Sequence, residues 1–172
     1  FAFVVHEYGF SLTEATPTIV RYKKGDLIIN IYHGRKSYEI GMEIGLGDAV
    51  YSLGSVIRLT NPDHADRYRH SMTATSDGVV AAVQKLAGLV RQYGSNALRG
   101  DPATFVALAQ LSRQMSKRLE LDSVAAQKRP KAEAAFRQCR YRDAAELYED
   151  IRESLSTTEL KKLELAKKRA GL

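Results

Sequence analysis

The apolar residues of this chain change their spacing near Ser52, and that change sets the fold class. Before it, residues 18–22, 27–32 and 37–44 form three runs rich in β-branched and aromatic side chains. In the third run Tyr38, Ile40, Met42 and Ile44 alternate with Ser37, Glu39, Gly41 and Glu43, the pattern of a strand with one wet face. After Ser52 the apolar residues recur every three or four positions, the helical period. Strands first and helices afterwards point to α+β rather than to alternating βα units.

Short connectors at Lys24-Gly25-Asp26 and His33-Gly34-Arg35 make the runs antiparallel neighbours, a three-stranded meander whose first strand residues 11–15 extend. A helix precedes it: Phe1, Val4, Val5 and Tyr8 share one face, and Gly9 follows. A sheet with one apolar face needs cover. Leu53, Val56 and Ile57 begin that cover, up to Asn61-Pro62. Residues 63–75 have no clear period. Ser76 opens a helix with Val79, Val80, Val83, Leu86, Ala87, Val90 and Tyr93 on one face and Gly94 at its end. Asp101-Pro102 is a start signal, an N-cap followed by proline. Phe105, Leu108, Leu111, Met115 and Leu119 then share a face, as far as Pro130, where proline ends, kinks or restarts the helix. Ser156 and Glu159 form a capping-box pattern before a last helix. The expected organisation is a helix and sheet over residues 1–60, covering helices of the same domain over 61–129, and a helical hairpin with a capping helix over 130–172.

Composition removes some functions. Cys139 is the only cysteine, so neither an internal disulfide nor a multi-cysteine metal site is possible. No apolar run approaches the ~20 residues of a membrane span. The opening FAFVVHEYGF has no basic leader or small-residue cleavage site, and a lone thiol suits a reducing compartment; the expected location is cytoplasmic. The net charge is +6, and the whole excess follows residue 60, interleaved with acids. A nucleic-acid binder concentrates its charge on one face. That function is therefore the alternative and not the first reading.

A search for chemistry assigns no catalytic, metal or cofactor residues. Asp63, His64, Asp66 and His70 are the only cluster of potential metal ligands, but Arg67 and Arg69 among them repel a cation. Gly41, Gly45 and Gly47 lack the Lys-Ser/Thr ending of a phosphate loop. Cys139 has no local histidine, although Arg137, Arg140 and Arg142 surround it. Glu39 and Glu43 read as the wet face of a strand, or as paired carboxylates for acid–base work. Tyr22, Tyr32 and Tyr38, interleaved with bases, read as cross-strand packing or as a base-stacking platform. An enzyme of unrecognised type would need side chains from separate elements to converge.

In residues 131–151, Tyr141, Ala144, Tyr148 and Ile151 carry bulky and small residues at the spacing of a helical hairpin. The segment resembles a single degenerate tetratricopeptide repeat, a unit of about 34 residues. Cys139-Arg140 stands where that family has Gly-Asp, Lys128 and Lys131 where it prefers apolar residues, and Ser156 where it closes with proline. The resemblance implies partner-facing positions on the first helix at Ala126, Arg129, Glu133, Phe136 and Arg137. A plain hairpin packed on its own core accounts for the same residues. The layout from the first helix to Leu98-Arg-Gly100-Asp101 is similar to small bacterial proteins of the immunity type. That similarity implies a bacterial, cytoplasmic, non-catalytic protein-binding module, an immunity-type inhibitor or a toxin-system accessory protein, and it transfers no site residues.

Overall fold

A computed structural model describes residues Phe1–Leu172. The fold is α+β: an N-terminal antiparallel sheet followed by helices. It divides into two compact units, Phe1–Ser112 and Arg113–Leu172.

The first unit opens with α1 (Ala2–His6) and then runs β1 (Ser11–Ala15), β2 (Ile19–Lys24), β3 (Leu27–His33), β4 (Glu39–Leu46) and β5 (Ala49–Ser52). The sheet order is β1-β2-β3-β4-β5, every pair antiparallel. This is a longer meander than the three strands expected. Residues 11–15 do not extend β2. They form their own strand, because Thr16-Pro17 turns the chain: the Thr16 amide donates to the Ile19 carbonyl at 2.8 Å. β5 is reached through a tight turn in which Gly47 has φ +59°, a left-handed conformation that glycine adopts without penalty.

The helices follow as α2 (Leu53–Thr60), α3 (Pro62–Arg67), α4 (Ser76–Tyr93) and α5 (Ser95–Arg99). Between α3 and α4 lies β6 (Ser71–Met72), which pairs with Glu39 and Ile40 of β4 and so continues the edge that β5 begins. Side-chain caps punctuate this series. Ser52 accepts from the Ser55 amide, Asn61 from His64, Thr75 from Gly78 and Asp101 from Thr104. Each such cap contributes about 1 kcal/mol.

The core lies on one face of the sheet. Leu27, Ile29 and Ile31 of β3 and Ile40, Met42 and Ile44 of β4 are buried there. Phe3 and Val4, Leu53, Val56 and Ile57, and Ala82, Leu86, Leu89 and Val90 cover them from α1, α2 and α4. The opposite face is polar. In register across it stand Glu14, Arg21, Asn30, Glu43 and Ser52, one from each strand. Arg21 ties this row together, with Nε donating to Asn30 at 2.9 Å and Nη1 pairing with Glu14 at 2.8 Å.

The long helix α6 (Pro102–Arg137) begins in the first unit and supplies the first helix of the second. Pro130 lies inside it and does not end it. Both Pro130 and Ala126, whose carbonyl loses its partner there, are exposed. This side of the helix faces solvent rather than a core, so the penalty of an internal proline stays local. The division between units accordingly falls at Ser112/Arg113 rather than at Pro130. In the second unit α6 is followed by α7 (Tyr141–Glu149), a 3-10 turn (Arg152–Ser154) and α8 (Thr157–Ala170). Ala132, Ala135, Ala144, Ala145 and Ala166 are buried around Tyr148 and Leu163. The small residues let the helices approach, and Tyr148, fully buried, fills the space they leave. The capping box at Ser156 and Glu159 is formed in both directions.

Candidate functional site

The five hairpin positions have different environments. Arg129 bonds inward: its Nε donates to Glu159 at 2.6 Å and its Nη2 to the Ser154 carbonyl at 2.7 Å. It locks the 3-10 turn to the first turn of α8. Glu133 accepts from Tyr148 Oη at 2.9 Å and from Lys162 Nζ at 2.5 Å. The Lys162 bond, followed by that of Tyr148, holds its carboxyl below the usual range despite the opposing effect of burial. Burial first, then the Glu133 bond, pushes the Tyr148 phenol upward. Phe136 packs on the alanine core, edge to face with Tyr141 at 5.7 Å. Ala126 and Arg137 are exposed. Thus Arg129, Glu133 and Phe136 hold the hairpin together, and Ala126 and Arg137 face water.

The turn between α6 and α7 has its own strain. Cys139 has φ +58°, in the left-handed region, and its thiol is exposed. The Tyr141 hydroxyl donates to its sulfur at 3.4 Å and is itself bonded by Arg169.

In the first unit, one polar cluster assembles from elements that are distant in sequence. The ring of Tyr32 lies across Gly41, where a Cβ would overlap it. This lets the Tyr32 hydroxyl donate to Glu39 at 3.3 Å. Burial, and then Glu39 and Glu43, push the Tyr32 phenol up to about 12. His70 brings its Nδ1 to 3.3 Å from the same carboxylate, and Tyr68 stacks edge-on against His70 at 5.2 Å. His70 Nδ1 and the Tyr68 hydroxyl are sealed from solvent, and neither has an aligned hydrogen-bond partner. A carboxylate facing an imidazole can pass a proton. Here the nitrogen concerned is out of reach of a substrate.

The remaining sequence candidates do not converge. His64 Nδ1 bonds the Tyr93 hydroxyl at 2.6 Å, Asp66 pairs with Arg58 at 2.7 Å and His70 faces Glu39, so the cluster at 63–70 points three ways. The three tyrosines do not form a platform either. Tyr22 packs on the core face, Tyr32 lies on the polar face, and Tyr38 is exposed with φ +53°.

Two surface features of the second unit had no distinct sequence signal. Residues 113–120 of α6 are all exposed, with Met115 at 42% and Leu119 at 68% of their full accessible area. They continue the stripe of Leu108 and Leu111, and Leu108 is fully buried. A groove of about 270 Å³ also lies between α6 and the end of α7. Leu121, Val124 and Ile151 line it, with the carboxylates of Glu149, Asp150 and Glu153. Periodicity could not distinguish an apolar stripe that meets a core from one that meets solvent. Comparison of the chain with protein-family models, with curated proteins and with solved structures finds no match.

Proposed function

We propose that this chain is a non-catalytic protein-binding module whose second unit presents the docking surface. The observation that carries this reading is the exposed pair Met115 and Leu119, two large apolar side chains one helical turn apart with no cover from their own unit. Amphipathic helices bind partners through such i, i+4 anchors. The sealed nitrogen of His70 favours this reading over an enzyme that uses Glu39. The immunity-type layout implies that the partner is a protein the module neutralises.

The test is affinity capture from the source cell with the full chain and with a double variant, Met115→Asp and Leu119→Asp. The variant is expected to lose a partner that the parent retains, while its melting temperature stays unchanged, because neither side chain supports a core. Equal capture by both proteins would remove the assignment of this face.

A further inference from the structure

A cleft of about 300 Å³ opens on the first unit, lined by Asn61, His64, Arg67, Tyr68, Arg69, Lys85 and Leu89. We propose that it binds a small phosphate-bearing ligand with a flat, apolar body, of the size of a nucleoside monophosphate.

The argument starts from charge without counter-charge. Three cations line the cleft and no carboxylate does. Of the other arginines of this unit, Arg21, Arg58 and Arg91 are each paired with an acid and Arg35 and Arg99 are not; what sets the cleft apart is three cations in one lining. The two cleft arginines are held instead by backbone carbonyls. Arg67 Nε donates to the Asp63 carbonyl at 3.1 Å, and Arg69 Nη1 donates to the carbonyls of Asp66 and Tyr68, both at 2.7 Å. Carbonyl acceptors orient a guanidinium without cancelling its charge, and both nitrogens at the end of the Arg67 fork are left free. Lys85 is exposed and has no acidic partner.

The neutral donors are arranged the same way. Asn61 uses its carbonyl oxygen to cap α3 through the His64 amide, which leaves its NH₂ group available. His64 is anchored through Nδ1 to Tyr93, and when Tyr93 donates, the ring proton sits on Nε2. Asn61, Arg67, Arg69, Lys85 and that tautomer of His64 thus bring donors, and no carboxylate, to one space. Phosphate oxygens are the acceptors such a set recognises. Tyr68 and Leu89 supply an apolar wall, so a bare anion leaves part of the lining unused. The volume is at the lower end for small-molecule sites. It holds one phosphoryl group and one ring system, and not a polymer strand. Arg67 and Arg69, which spoke against a metal in the sequence, are here the residues that attract the ligand.

The test is calorimetric titration of the full chain with adenosine 5′-monophosphate, inorganic phosphate and adenosine. The monophosphate is expected to bind more tightly than phosphate, and adenosine to give no heat. Lys85→Gln and Arg69→Gln should each weaken binding about tenfold, the effect of losing one charge-assisted hydrogen bond. Lys131→Gln, in the other unit, should leave it unchanged. Lys85 is unpaired, so Lys85→Gln tests the site without disturbing the fold. The proposal is overturned if the monophosphate gives no heat at millimolar concentration, or if phosphate matches it. It is also overturned if all three variants weaken binding equally. Displacement of the monophosphate by a single-stranded oligonucleotide, with steep salt dependence, would reassign the cleft to nucleic acid.

Discussion

Replacing Tyr148 by phenylalanine separates the two ways in which this residue holds the hairpin. The ring is fully buried among alanines and stays in the variant. What goes is one hydrogen bond of 2.9 Å to the Glu133 carboxylate, which keeps Lys162. A bond to a charged group contributes about 1.5–3 kcal/mol. Glu133 retains 23% of its side-chain exposure, so water can replace part of the loss and the lower end applies. About 1.5 kcal/mol is roughly tenfold in an opening equilibrium. Amide hydrogen exchange along α7 should therefore quicken about tenfold in Tyr148→Phe, with β3 and β4 unaffected. Tyr148→Ala also removes the ring, at about 3–5 kcal/mol, and should quicken exchange by at least two orders of magnitude. If Tyr148→Phe changes exchange less than twofold, the hydroxyl adds nothing to the hairpin. If it equals Tyr148→Ala, packing is not what the ring provides.

Cys139→Gly should stabilise the second unit by about 0.5 kcal/mol. Relief of a left-handed conformation, ~1–2 kcal/mol, exceeds the added chain entropy of glycine; a urea midpoint that rises equally for Cys139→Ala would show that φ +58° is not the cause. Acid should weaken the same unit. The Lys162 bond lowers the Glu133 pKa. For Glu159, burial opposes ionisation, but the Ser156 backbone and hydroxyl and Arg129 outweigh it and lower the value. A carboxyl depressed on folding adds stability above its unfolded pKa and loses it as pH falls through the folded one. Urea unfolding should therefore show the loss starting below about pH 4.5 and continuing downward, and Glu133→Gln should flatten the profile.

The parts of this fold that the sequence makes legible are those with long periods or strong punctuation. In β4 Ile40, Met42 and Ile44 alternate with Glu39, Gly41 and Glu43 and are buried as that period requires, and Asp101 and Ser156 cap helices where their motifs lie. β5 has four residues and β6 two, too short to show a period, and both exist because β4 offers an edge to pair with. Pro130 reads locally as a break, yet exposure lets the helix absorb it. The polar cluster was the least legible feature. Tyr32, Glu39, Tyr68 and His70 meet through strand register and through a space that Gly41 leaves open. The cationic cleft was half visible, since Arg67 and Arg69 were evident but their lack of acidic partners was not.

The alanine core of the hairpin has a thermodynamic consequence. Heat capacity on unfolding grows with the apolar area exposed, and buried methyl groups expose far less than the isoleucines and leucines of the sheet unit. Around that core, carboxylates and cations pair at Lys128–Asp150, Arg129–Glu159, Lys162–Glu133 and Lys167–Glu149. The stability curve of the hairpin is therefore shallower in temperature than that of the sheet unit, and the four pairs packed around its small core make it the more responsive to ionic strength. One polypeptide thus carries two units that cold and salt affect differently.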